Sequence, residues 1–359
     1  MSNYRTARIL QGMMVIFVVF ATGYARNVLG QDGTYPANVD PANFHPGYFA
    51  LISDRADIPQ DVLLNDEFVG VKIRYRWKAL EPGAGTYDFS AIERDLETLK
   101  SRDKRLWIQI EYVQWNGSGE PFTPQYMWND SSYGGDSRYY GNFAREVQDG
   151  GWYPYFWNAK VRERLNGLIA ALGRRFSTES HVEGITISET SVAVPAGQDC
   201  SVFLSAIQDA AITAKDAFGN KIVFQMVNFA CFDLPRHINW LVDRGVGLGT
   251  PDTFNFKDSL TNEIYPLMLE NRSDVAIGPD VQWDNYERNN MSVSEIRDHA
   301  IASTDPWYMF WEVREPYFSE QVLQAVFARP LPAAERFYSS NPDARTSSGA
   351  RPKPPQLVE

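Results

Sequence analysis

Eight short strand-like segments, most of them separated by stretches with helical spacing, run along the 359-residue chain. They are 48–53 (YFALIS), 69–76 (VGVKIRYR), 105–112 (RLWIQIEY), 182–188 (VEGITIS), 221–229 (KIVFQMVNF), 245–249 (GVGLG), 274–282 (DVAIGPDVQ) and 307–311 (WYMFW). Helical patterns are clearest over 90–103, 159–176, 201–218, 258–271 and 292–302, and two open on expected capping boxes, Ser90 with Glu93 and Ser292 with Glu295. Alternation of this kind predicts an α/β fold, a single parallel (β/α)8 TIM barrel over residues 26–338. The competing doubly wound sheet would bring a glycine-rich phosphate turn after its first strand, and the chain has none.

The two ends are read as outside that barrel. Residues 1–25 have the form of a signal peptide: Arg5 and Arg8, an apolar run from Met13 to Phe20, then Gly23-Tyr24-Ala25 as a cleavage site. The run is short for a membrane span, so no stable insertion is expected after cleavage, and the protein is expected to be secreted or periplasmic. Residues 339–359, rich in Ser, Pro, Arg and Gly, are expected to form a disordered tail. In an exported chain Cys200 and Cys231 are candidates for a disulfide. The net charge of −11, with no basic run longer than a doublet, argues against nucleic acid as a partner.

One connection is unusually long. Residues 113–158, after the third strand, carry 13 aromatic side chains in 46 residues. In a barrel this aromatic-rich loop would lie on the C-terminal face, where active sites sit. Trp115, Trp128, Trp152 and Trp157 are the indoles that would either stack on sugars or pack the loop down.

The C-terminal strand ends carry the chemistry. In strand order they offer Arg74 and Trp77, Glu111, Glu189, Asn228, Asp252, then Asp280, Gln282 and Asp284, and finally Trp311 and Glu312. A ring of carboxylates, amides and indoles suits cleavage of a glycosidic bond, which needs one carboxylic acid to protonate the leaving oxygen and a second carboxylate as nucleophile or base. Four histidines without zinc-site spacing and the lack of a Gly-x-Ser-x-Gly elbow point away from metal and serine hydrolases. Neither metal nor cofactor is expected.

The stretch 69–89, VGVKIRYRWKALEPGAGTYDF, resembles the second strand and following loop of clan A glycoside hydrolases, the superfamily of cellulase-like and β-galactosidase-like barrels. The matching residues are Trp77, Leu80, Glu81, Pro82, Gly85, Tyr87, Asp88 and Phe89, with Glu81 expected to do structural work in the loop. The resemblance implies a general acid at the end of strand four. Glu189 matches that position, with Ser188 where the clan usually has Asn. The clan's strand-seven nucleophile is a Glu that this chain lacks: the segment reads Asp280-Val-Gln-Trp-Asp284. Trp311 resembles the clan's strand-eight platform Trp, and Glu312 follows it.

Glu189 is therefore expected as the acid and Glu312 as the second carboxylate, with Asp280, Asp284 and Glu111 as other candidates. Arg74, Trp77, Glu111, Trp115, Asn228, Asp252, Asp280, Gln282, Trp283 and Trp311 are expected to contact a poly- or oligosaccharide. Two rival readings remain at this point: a non-catalytic carbohydrate-binding barrel, favoured by the missing strand-seven Glu, and a polysaccharide lyase.

Overall fold

A computed structural model describes residues 35–53, 57–115, 120–128, 130–133, 138–141, 151–192, 194–195 and 197–345. The expected leader lies outside the described residues, as does the chain beyond 345. The eight expected strands form at β1 (Gly47–Ile52), β2 (Phe68–Arg76), β3 (Arg105–Glu111), β4 (Val182–Ile187), β5 (Ile222–Met226), β6 (Gly247–Thr250), β7 (Ile277–Val281) and β8 (Tyr308–Glu312). They close into one parallel barrel, each strand beside its neighbour in the chain, with β8 pairing β1 from Gly47↔Tyr308 to Leu51↔Glu312. The (β/α)8 expectation holds.

Helices α1 (Gln60–Leu63), α2 (Ser90–Lys100), α3 (Ala159–Phe176), α4 (Cys200–Phe218), α5 (Leu234–Val242), α6 (Tyr265–Glu270), α7 (Val293–Thr304) and α8 (Leu323–Ala328) follow the strands in turn. Helix α3 buries Val161, Leu165, Leu168, Ile169, Leu172 and Phe176, the one-sided spacing that drives a helix onto a sheet. At its start the Asn158 side chain accepts Lys160 N, and Asp199 caps α4 in the same way. The capping box at Ser292 forms, whereas the one expected at Ser90 does not. Ser90 is already the first helical residue, and its N–H donates to Asp88 Oδ1 at 3.0 Å.

The barrel interior is closed by an aromatic plug. Trp107 stacks on Phe224 with centroids 4.7 Å apart, and Tyr308 and Phe310 meet Trp107 edge-on. The stack needs bare backbone opposite it: a Cβ at Gly184 would lie 2.5 Å from Trp107 Cζ3, and one at Gly247 would lie 2.6 Å from Phe224 Cδ1. Below the plug, the buried Glu183 carboxylate accepts from the His45 backbone N–H, His45 Nδ1 and Tyr308 OH. The C-terminal mouth lies at the opposite end of the barrel.

Cys200, at the start of α4, is bonded to Cys231 in the loop before α5, with Cα atoms 6.0 Å apart. The bridge ties two neighbouring loops of the C-terminal face. Its sequence separation of 31 corresponds to about 3–4 kcal/mol in the chain-entropy account. Helix Pro332–Ser340 and a 3-10 turn at Pro342–Arg345 occupy the first part of the segment expected to be a disordered tail, so that expectation is corrected through Arg345. The helix that leads into this segment is anchored by the buried Phe337, packed on Phe44 at 4.9 Å. Among the described residues, no helix is long and apolar enough to cross a membrane.

Candidate active site

Strand alternation decides which side chains enter the mouth. On β2, Lys72 and Arg74 point inward while Tyr75 points out and bonds Asp95 on α2 at 2.8 Å. Arg74 is laterally paired with Gln109, and Arg76 with Glu111. The Arg74 guanidinium reaches Ser53 Oγ at 3.2 Å and lies 3.8 Å from Asp280 Oδ2. Its electrostatic surroundings, in order of weight, are Glu312, Glu111, Asp280 and Glu189, which together raise its pKa against the cost of burial. One cation thus sits among four carboxylates from β2's neighbours and from across the barrel.

Glu189 follows β4 and remains partly open to solvent at the mouth. Asn228, two residues past β5, donates from Nδ2 to Glu189 Oε2 at 2.8 Å, and Asn228 is itself held by Thr190 through its backbone N–H at 3.0 Å. Burial, followed by the Asp252 carboxylate, pushes the Glu189 pKa up to about 8; Arg74 and the Asn228 bond oppose that rise. Asp252, beyond β6, is raised to about 7 by burial and by Asp284, and Asn285 Nδ2 lies between the two at 3.5 and 3.2 Å. Burial also raises Asp284, to about 6. Among these crowded carboxylates Glu189 is the one raised far enough to keep its proton at neutral pH, which is what a general acid requires.

Glu312 ends β8 facing inward, 7% exposed, and its Oε2 accepts the Trp283 backbone N–H at 2.6 Å. Asp280, by contrast, lies below the mouth and is fully buried. Lys72 Nζ holds both its oxygens, at 2.6 and 2.9 Å, and sits 4.3 Å from the centre of the Phe310 ring. Among the described residues, no group of three or more His, Cys, Asp or Glu side chains is arranged to hold a metal ion.

No protein-family model matches the chain, and no curated protein matches its sequence. Solved structures do match its shape. The catalytic domain of a β-amylase from Paenibacillus polymyxa superposes with TM-score 0.55 at 11% identity, over 76% of this chain and 93% of that one. A β-galactosidase from the psychrophilic Marinomonas ef1 gives 0.51 at 8% identity, over 83% and 59%. A GH5_18 protein from Bifidobacterium longum subsp. infantis gives 0.50 at 13%, over 87% and 80%. The chain shares the (β/α)8 barrel of these structures. At these identities the likeness is one of fold, so the residues of this barrel must carry the chemistry by themselves.

Within this barrel, several expected contact residues lie away from the mouth. Trp77 is fully buried, and its Nε1 donates to Glu81 Oε2 at 2.8 Å, so it belongs to the loop core. Glu81 also accepts from Gly85 N, Tyr126 OH and the Arg164 guanidinium, which makes it the hub that folds the loop after β2. Trp311 points outward from β8 against Tyr48 and is fully buried between barrel and helices; its neighbour Glu312 takes the inward place. Gln282 spends its amide on Pro251 O at 2.6 Å and caps the short helix Trp283–Arg288. Asp280 is engaged by Lys72 and does not reach the mouth surface. Trp115 is half-buried, edge-on to Tyr153 at 5.7 Å.

The residues brought together at the mouth are therefore Arg74, Glu111, Glu189, Asn228, Asp252, Asp284 and Glu312. Sequence reasoning missed Lys72, whose position inside β2 was visible but whose partner lies 208 residues away. Only the parity of β2, an inward Lys two residues before an inward Arg, signals it.

Proposed function

We propose that the protein is an exported glycoside hydrolase acting on a neutral poly- or oligosaccharide, with Glu189 as general acid and Glu312 as the second carboxylate. The observation that carries the reading is the Glu189 environment. Asn228 fixes one carboxyl oxygen while burial and the Asp252 charge hold the proton on the group up to about pH 8. A protonated carboxyl at the mouth of a glycosidase barrel can donate to a leaving glycosidic oxygen. Glu312 suits the other role because Trp283 N–H fixes it and Arg74 offsets its charge. Asn228 and Arg74 orient the two groups.

Lyase chemistry fits this mouth less well. A uronate would bring its own carboxylate into a mouth that already holds Glu111, Asp252, Asp284 and Glu312 along with the Arg74 guanidinium. The non-catalytic reading has one specific support: Asp280, nearest the β7 position where the clan keeps its nucleophile, is locked to Lys72. The disulfide and the apolar leader support export.

The test is a panel of neutral polysaccharides and oligosaccharides incubated with the mature protein. New reducing ends without unsaturated uronate products are expected, and Glu189→Gln should lower turnover about 10²–10⁴-fold with an unchanged melting temperature. Binding without cleavage would favour the non-catalytic barrel. Equal activity in Glu189→Gln would remove Glu189 as the acid.

A further inference from the structure

The long loop after β3 is where the sequence offered indoles for a sugar platform, yet three of its described indoles are engaged within the protein. Trp128 Nε1 donates to Thr123 O, Trp157 Nε1 donates to Asp199 O, and Trp115 rests on Tyr153. The exposed aromatics lie elsewhere on the rim. Among the described residues Phe229 is 41% exposed, Phe256 48% and Trp283 44%, and they stand on the loops that follow β5, β6 and β7, three adjacent strands. Large rings left in water cost free energy unless a ligand covers them, so clustered exposure at a mouth marks a contact surface.

Two of these rings are tied to the proposed reacting groups. Phe229 directly follows Asn228, whose amide binds Glu189, and the backbone N–H of Trp283 binds Glu312. Phe256 stands on the loop between them, beyond Asp252. Two of the three rings have a cation nearby: Lys257 Nζ is 5.7 Å from the Phe256 ring centre and the Arg314 guanidinium 5.8 Å from that of Trp283.

We propose that a neutral glycan chain leaves the barrel mouth across the loops after β5, β6 and β7, with Phe229, Phe256 and Trp283 each facing a sugar ring. The inference rests on the glycoside hydrolase reading and adds the path of the chain and the residues that line it. A sugar ring presents C–H groups on one face and hydroxyls around its edge, so it needs aromatic faces interleaved with hydrogen-bonding groups. The same loops supply Asp252, Asp284 and the exposed Asn255 beside the rings. A protein or lipid surface would instead require the rings without the carboxylates between them. An anionic polymer would meet Asp252, Asp284, Glu111 and Glu312 with no unmatched cation at the centre of the mouth.

The experiment compares Phe229→Ala, Phe256→Ala and Trp283→Ala with the parent on a ladder of neutral β-linked gluco-, manno- and galacto-oligosaccharides, from disaccharide to hexasaccharide. Binding is measured in parallel on the Glu189→Gln background. Each replacement should lower kcat/KM for the longest cleaved oligomer relative to the shortest by about two- to tenfold, the worth of one stacking contact. Leu64→Ala and Phe327→Ala, which remove exposed side chains far from the mouth, should leave the ratio unchanged. If the parent cleaves the ladder but all three variants keep the parental ratio, the surface assignment is wrong and the hydrolase reading stands. Tighter binding of a polyuronate than of any neutral oligomer would also overturn the assignment. A parent that neither binds nor cleaves any neutral oligomer removes both.

Discussion

Lys72 Nζ lies 2.6 and 2.9 Å from the two carboxylate oxygens of Asp280, and both side chains are fully buried inside the barrel. Burial lowers the Lys72 pKa to about 8 and raises that of Asp280, and each charge opposes the shift of the other. The pair therefore persists only as a pair. Removing the amine by Lys72→Met should leave a buried carboxylate without its partner and cost about 3–5 kcal/mol. Lys72→Met with Asp280→Leu should recover most of that loss, because two apolar residues need no compensation. Denaturant melts of the two single variants and the double variant measure the coupling. Additive losses would mean that the two side chains are energetically independent.

The Glu189 environment sets a direction for pH. Its folded pKa of about 8 exceeds the ordinary glutamate value of 4.5, so the folded protein holds a proton that the unfolded chain has released. Stability from this group is complete below about pH 4.5 and is lost as pH rises through about 8. Asp252 and Asp284, raised to about 7 and about 6, act with the same sign. Glu189→Gln should therefore flatten the decline in melting temperature between these limits. Activity of the parent should fall as pH rises through about 8, where the acid loses its proton. Asp252→Asn should move that alkaline limb downward, since Asp252 is the largest charge holding the proton on Glu189. A limb that stays in place would separate the two carboxylates.

The barrel was legible because its strands and longer helices carry strong periodic signals. Helices α1, α5 and α8 span four, nine and six residues and were not read, because runs so short hold too few turns to show a face. The mouth was harder. In Trp307-Tyr308-Met309-Phe310-Trp311-Glu312 every residue but the last is apolar, since one face fills the barrel and the other packs on helices. With both faces buried the sequence carries no parity, so Trp311 was placed in the mouth when Glu312 alone belongs there. Trp77 failed for a related reason: its motif marks the fold of the loop, and the Glu81 carboxylate that it bonds is part of that fold. The pairing of Lys72 with Asp280 is set by barrel closure, and no local pattern could reveal it.

Identification of the second carboxylate turns on which groups remain free to react. Glu312 ends β8, opposite β4 across the barrel, and its Oε2 accepts the Trp283 N–H at 2.6 Å. In Glu312→Gln the amide oxygen can still accept that bond, so the fold should be kept while the charge needed for a base or nucleophile is lost. Turnover should then fall about 10²–10⁴-fold, with a melting temperature close to the parent. Asp280→Asn should behave differently, because it strips Lys72 of its counter-charge and lowers stability together with activity. Asp284→Asn should retain most turnover, since the Asp284 carboxylate is paired with Arg288 at 3.7 Å. Glu189 follows β4 and Glu312 ends β8, on opposite sides of the barrel; carboxylates about 6.5–9.5 Å apart leave room for a water and invert the product anomer, whereas about 5–5.5 Å gives retention. Proton NMR of the first product formed reads the anomer directly. An active Glu312→Gln together with a stable, inactive Asp284→Asn would transfer the role to Asp284.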